Sequence, residues 1–243
     1  MSTFQRSNGR IPCTACGAEI LPATAERTGG KCMPCFNDRH GIRAAQLLGA
    51  RTPTTVLLHM IEEAVMNATL RVARSAATNL ASEGIYGCWL FHTQLLCVDG
   101  ITLFTESGLD QVSRVYSERG HPTRPRWSPC DSPHHLYLSN EFDHASHLFL
   151  SLDQPCRRSA DVVLEVERIC LRVLQQLRAA SLFPSQVVLT LAEGDQSTEQ
   201  RYAYAELFSE PEALEKFRTD SQPINWQHVE HWRSQIPRFQ NEN

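Results

Sequence analysis

Long apolar runs are missing from this 243-residue chain. Its most apolar stretches, residues 146–152 and 187–192, fall far short of the roughly 20 residues that cross a bilayer. No membrane association is therefore expected. Residues 1–10 are polar and hold no apolar signal core, which predicts a cytoplasmic protein of a reducing compartment. Catalytic signatures are missing too. There is no G-x-S-x-G, phosphate-binding P-loop, G-x-G-x-x-G or H-E-x-x-H, so the expectation is a binding protein and not an enzyme. Lysine is scarce as well: Lys31 and Lys216 stand against twenty-one arginines, a bias that carries no functional weight.

Cysteine, by contrast, is plentiful. An odd count of nine, without a secretory signal, points to thiols or metal ligands and away from a disulfide framework. Four of them, Cys13, Cys16, Cys32 and Cys35, form C-x2-C-x15-C-x2-C. Two close pairs suit tetrahedral Zn2+, because each two-residue spacer lets one turn present both sulfurs. Gly17 after the first pair offers the positive φ that lets backbone amides approach the sulfurs. Gly29-Gly30, just before the second pair, reads as a hairpin turn. So short a segment buries little apolar surface alone, and a structural zinc ion is the expected staple.

Charge divides the chain at the same place. Residues 1–51 carry seven Lys+Arg and three Asp+Glu, a net +4, while residues 52–243 carry sixteen and twenty-four, a net −8. A basic head on an acidic body predicts two parts, a zinc ribbon with its linker (1–51) and a larger domain (52–243), with different partners. Nucleic acid is the weaker partner for the head. Arg6, Arg10, Arg27, Lys31, Arg39, Arg43 and Arg51 speak for it, but only Phe4 and Phe36 are there to stack on bases. A zinc-ribbon regulator that binds nucleic acid is the alternative reading of the whole chain.

The body reads as α+β with α/β character, a mixed sheet packed by several helices. Residues 42–48 suggest a linker helix stopped by Gly49. Thr52-Pro53 reads as an N-cap with proline at the first helical position. Leu57, Ile61, Ala64, Ala68 and Val72 then recur at helical spacing to about Ser82. Residues 85–93 read as a strand, and Asp99-Gly100 between two apolar runs predicts a tight hairpin turn. Residues 107–118 read as a helix, residues 121–133 with their four prolines as a loop, and residues 142–152 as a further helix. Ser159 caps a long helix with the stripe Val162, Val166, Ile169, Val173 and Leu177. A strand over 186–192 and helices near 198–208 and 211–218 follow. From Asp220 a polar tail with Trp226 and Trp232 is expected to lie across the body.

Chemistry is hard to find in that body. His134, His135, His144 and His147 invite a metal reading, but no three-ligand pattern with a base accompanies them. Cys88, Cys97 and Cys170 lie in apolar runs and read as core, whereas Cys130 and Cys156 lie beside prolines in loop-like context. What stands out is acid: Glu193, Asp195, Glu199, Glu206, Glu210, Glu212, Glu215 and Asp220 against Arg201, Lys216 and Arg218. The partner-facing residues expected from this run are Glu193, Asp195, Glu199, Glu206, Glu210 and Glu212, with Trp127 of the proline-rich loop as a second contact.

The order of an N-terminal helix (54–82), a strand hairpin (85–105), the segment Arg126-Trp127-Ser128-Pro129, a long helix (159–182) and a strand (186–192) resembles bacterial immunity proteins of polymorphic-toxin and type VI secretion systems. The head, CGAEILPATAERTGGKCMPC, is similar to zinc-ribbon leaders on small bacterial proteins of this kind. That resemblance implies an inhibitor that binds and neutralises a cognate secreted toxin, a nuclease effector. It implies no catalytic residues and carries over only the four zinc cysteines.

Overall fold

Every residue from Tyr86 to His92 is buried, the mark of a strand covered on both faces. A computed structural model describes residues 11–14, 19–20, 22–31, 42–93, 97–118, 126–152, 159–193, 195–221 and 223–236. In chain order its elements are β1 (Ile11–Pro12), β2 (Glu19–Ile20), α1 (Pro22–Thr28), α2 (Ile42–Gly49), α3 (Thr54–Asn79), β3 (Ile85–Thr93) and β4 (Cys97–Thr105). There follow α4 (Glu106–Glu118), β5 (His134–Tyr137), α5 (Asp143–Ser151), α6 (Ala160–Ala179), β6 (Val188–Ala192), α7 (Thr198–Ala205), α8 (Pro211–Asp220) and α9 (Trp226–Gln235).

The main sheet has the order β5-β4-β3-β6, antiparallel at β5/β4 and β4/β3 and parallel at β3/β6. The fold is thus mixed α and β, as expected. Helix α3 packs on α5 and α6, α5 on β4 and α6 on β6, while α7 and α8 lie against β6 and α9 lies on α7. The apolar stripe of α6 is buried at every predicted position. Each such aliphatic side chain removed from water stabilises the fold by about 1.5–3 kcal/mol before entropy is counted. The Ser159 side chain accepts a hydrogen bond from the Val162 amide at 3.3 Å, so the predicted cap is real. Across the α3/α6 seam, Arg172 grips Glu62 with two nitrogens at 2.6 and 2.9 Å.

Several expectations need correction. Asp99-Gly100 makes no turn: both residues lie inside β4, where Gly100 pairs with Phe91 and Val98 with His92. Asp99 is the extra residue of a bulge, Gly100 adopts φ +152°, and the Thr93 hydroxyl donates to the Asp99 carboxylate at 2.6 Å. The two strands do form an antiparallel pair, but residues 94–96 that join them lie outside the described residues. Gly29-Gly30 is likewise no hairpin turn. Both have positive φ, and the Gly30 amide reaches back to the Ala25 carbonyl at 2.7 Å, which is the Schellman ending of α1. Helix α3 starts one residue later than read, with Pro53 flanking it and no side-chain cap. Strand β5 and helix α9 were not foreseen at all.

The linker helix is fastened to the body. At its end Gly49 comes so close to α5 that a Cβ there would sit 1.8 Å from the Ser151 carbonyl oxygen.

Candidate functional site

Of the predicted zinc ligands only Cys13 lies among the described residues; Cys16, Cys32 and Cys35 do not. Cys13 follows β1 directly, is 3% exposed, and shares a small apolar cluster with Ile20 and Ala25. β1 and β2 pair antiparallel through Ile11–Ile20 and Pro12–Glu19, so the chain turns back on itself over the first cysteine pair. The Thr14 amide donates to the Gly30 carbonyl at 3.0 Å. That bond lays the residue after Cys13 against the residue two before Cys32. The donor chemistry, four cysteines in two close pairs, is what a tetrahedral thiolate zinc site would use.

Trp127 is not a surface contact. It is 9% exposed, its indole stacks on Trp89 with centroids 5.7 Å apart and planes 2° apart, and it meets Tyr86 edge-on at 5.0 Å and Phe217 at 4.7 Å. Its neighbour Arg126 binds Glu106 at 2.5 Å and Asp220 at 2.9 Å, and its guanidinium lies 4.2 Å from the Tyr86 ring centroid. Trp127 is therefore a plug over β3, and Arg126 ties α4 to α8.

The acidic run divides in two. Glu206 is held by Arg233 of α9, which also takes Glu230; Glu215 is held by Arg218; Asp220 is held by Arg126. Glu199 accepts the Asn225 amide at 3.2 Å. Burial pushes its carboxyl up, but hydrogen bonds from its own and the Asn225 backbone outweigh that and hold it below the usual range. Glu199 and Glu206 thus tie α7 to α9, Asp220 ties α8 to Arg126, and Glu215 pairs within α8. Glu193, Asp195, Glu210 and Glu212 have no ion pair among the described residues, and the last three are exposed. In the same layer Leu207 and Trp226 are 46% and 43% exposed, with Trp226 edge-on to Tyr202 at 5.5 Å. The acidic pattern alone did not single out these two side chains. Neither a Leu beside Phe208 nor an isolated Trp226 marks a surface by itself, since both patterns are common at half-buried positions.

Among the described residues no group of three or more His, Cys, Asp or Glu side chains is set to hold a metal. His134 Nε2 lies 2.8 Å from Glu83 Oε2, which also accepts the Thr105 hydroxyl at 3.0 Å. The His134 hydrogen bond leads in keeping the Glu83 carboxyl below the usual range. His135 Nδ1 lies 2.8 Å from the Thr102 hydroxyl, and His135 sits edge-on to Phe91. Both rings thus brace β5 against its neighbours. Cys88 and Cys170 are fully buried, Cys97 partly, and Cys130 is exposed.

No family model, curated protein or solved structure matches this chain. No helix among the described residues is long and apolar enough to cross a membrane.

Proposed function

We propose that this chain is an immunity-type inhibitor: it binds a cognate secreted toxin, a nuclease effector of a type VI secretion system, and neutralises it by non-covalent contact. The observation that carries this reading is the C-terminal layer, where carboxylates without ion pairs among the described residues, Glu193, Asp195, Glu210 and Glu212, lie along residues 193–226 with exposed Leu207 and Trp226. A nuclease presents a basic cleft shaped to hold phosphate. Acidic side chains steer toward such a cleft and select it, while a Trp and a Leu supply desolvated anchors. A stable complex needs an interface of about 1,600 Å2. The head contributes by its zinc, which Cys13, Cys16, Cys32 and Cys35 would hold as a structural ion that folds the first forty residues.

The test is a charge reversal confined to acids free of internal ion pairs. Glu193→Lys, Asp195→Lys and Glu212→Lys together should weaken toxin binding about tenfold or more at low salt, with a smaller effect at high salt. Unchanged affinity in a folded triple variant places the interface elsewhere.

A further inference from the structure

Glu199, Tyr202 and Glu206 stand at i, i+3 and i+7 along α7 and its C-cap, so they share one face of that helix. The structure covers this face with α9. At one end Glu199 accepts the amide of Asn225, the residue that caps α9, at 3.2 Å. At the other end Arg233 grips Glu206 with two nitrogens, Nε at 2.6 Å. Tyr202, 6% exposed, lies between the two acids and meets Trp226 edge-on with centroids 5.5 Å apart. The two helices therefore lie side by side in the same direction.

For a helix of the body, α9 is held lightly. Its main neighbour among the described elements is α7. Of its ten residues only Val229 is buried and Trp232 half-buried, with buried Ile224 and Ile236 flanking the helix. A helix of this length does not persist once detached. Lifting it is thus a local unfolding, and such openings concentrate where buried apolar contacts are few. The ion pairs are asymmetric as well. Arg233 binds Glu230 of α9 in addition to Glu206. When α9 lifts, Glu230 leaves together with Arg233, whereas Glu206 loses its guanidinium.

We propose that α9 is a displaceable strap, which closes an acidic and aromatic face of α7 with its own Arg233 and lifts to admit an arginine-bearing protein segment in its place. The two carboxylates are two helical turns apart, about 10.5 Å along the axis. Each suits a guanidinium fork, which binds a carboxylate through two parallel hydrogen bonds. The Tyr202 ring, released from Trp226, offers its face to the cation or to the aliphatic stem. Arg233 on Glu206 is the internal form of that contact. The layer thus has two states. Closed, it presents Leu207 and Trp226; open, it presents Glu199, Tyr202 and Glu206. A strap of this kind is independent of toxin binding, and its test uses no toxin.

The experiment uses the full chain with its zinc. Hydrogen exchange read by mass spectrometry compares peptides of α9 with peptides of α6 at low and high sodium chloride. Amides of α9 should exchange at least about tenfold faster than those of α6. High salt, and separately Arg233→Ala, should speed α9 by about a further fivefold. A labelled oligo-arginine peptide then probes the uncovered face by fluorescence anisotropy at low salt. Arg233→Ala should bind it about fivefold tighter than wild type, because the face no longer has to be opened first. Arg233→Ala/Glu206→Gln should lose that gain. Arg74→Ala removes an equal charge from an exposed position on α3 and should bind like wild type. Amides of α9 that exchange no faster than those of α6, or at a rate that neither salt nor Arg233→Ala changes, overturn the strap. So does a peptide affinity that is equal in wild type and Arg233→Ala, that rises equally in Arg74→Ala, or that keeps its gain when Glu206 is changed.

Discussion

Trp127 lies parallel to Trp89 across β3 only because residue 87 has no side chain. A Cβ on Gly87 would come within 3.0 Å of both the Trp127 and the Phe104 rings. Gly87→Ala should therefore cost about 1–3 kcal/mol, the usual penalty of an overpacked core. Trp127→Ala should cost about 3–5 kcal/mol. Chemical denaturation measures both, and a Trp127→Ala protein of wild-type stability would return that side chain to the surface.

The hydrogen bond from the Thr14 amide to the Gly30 carbonyl brings the flanks of the two cysteine pairs together, and a zinc ion is expected to hold them there. The purified protein should carry one zinc per chain, lost in Cys13→Ser/Cys32→Ser. Chelation should expose residues 1–40 to protease while the melting of the body stays unchanged. Equal protease protection with and without chelator would remove the ribbon.

His92 is 3% exposed, and burial pushes its imidazole down from 6.5 to about 4. The folded state thus keeps the ring neutral where the unfolded chain protonates it. The unfolded state then binds more protons, so stability is complete above about pH 6.5 and declines as pH falls toward about 4. The loss amounts to about 3 kcal/mol over that window. Denaturation midpoints of wild type and His92→Gln at pH 7.5, 6 and 4.5 check it: the wild-type slope in this window should exceed that of the variant.

Cysteine reactivity should follow burial. Burial pushes the Cys170 thiol up to about 12 and moves Cys88 in the same direction. In the native body iodoacetamide should label Cys130 at least about tenfold faster than Cys88 or Cys170. Comparable native labelling of all three would mean that the sheet opens far more readily than its packing implies.

Local signals served well where local chemistry decides the structure. Ser159 and the apolar period behind it define α6 because a cap and a stripe act within one helix. The run 85–93 is β3 with the bounds read from its β-formers. Failures came where a distant partner decides. Asp99-Gly100 has turn chemistry, but pairing with Phe91 and His92 draws it into the ladder as a bulge. β5 follows Pro133 and contains Leu136 at φ +50°, with Leu138 just beyond it at the same value, so its strand character exists only against β4. α9 has a single fully buried side chain, Val229, and no periodic stripe to read. The burial of Trp127 depends on Gly87, forty residues earlier, and on Phe217, ninety later. At the candidate surface the acids were legible, but which of them are spent on Arg233 and Arg126 was not, because those pairs form only when α9 meets α7 and α8 meets the body.

The most direct test of the central claim is a tagged pull-down from the native host after nuclease treatment, followed by an activity assay on what is retained. The account predicts one stoichiometric protein with a nuclease domain, whose cleavage of DNA or RNA stops when this chain is added and persists when the Glu193/Asp195/Glu212 triple reversal is added instead. Retention of nucleic acid alone, or a retained protein whose activity this chain leaves untouched, would contradict it.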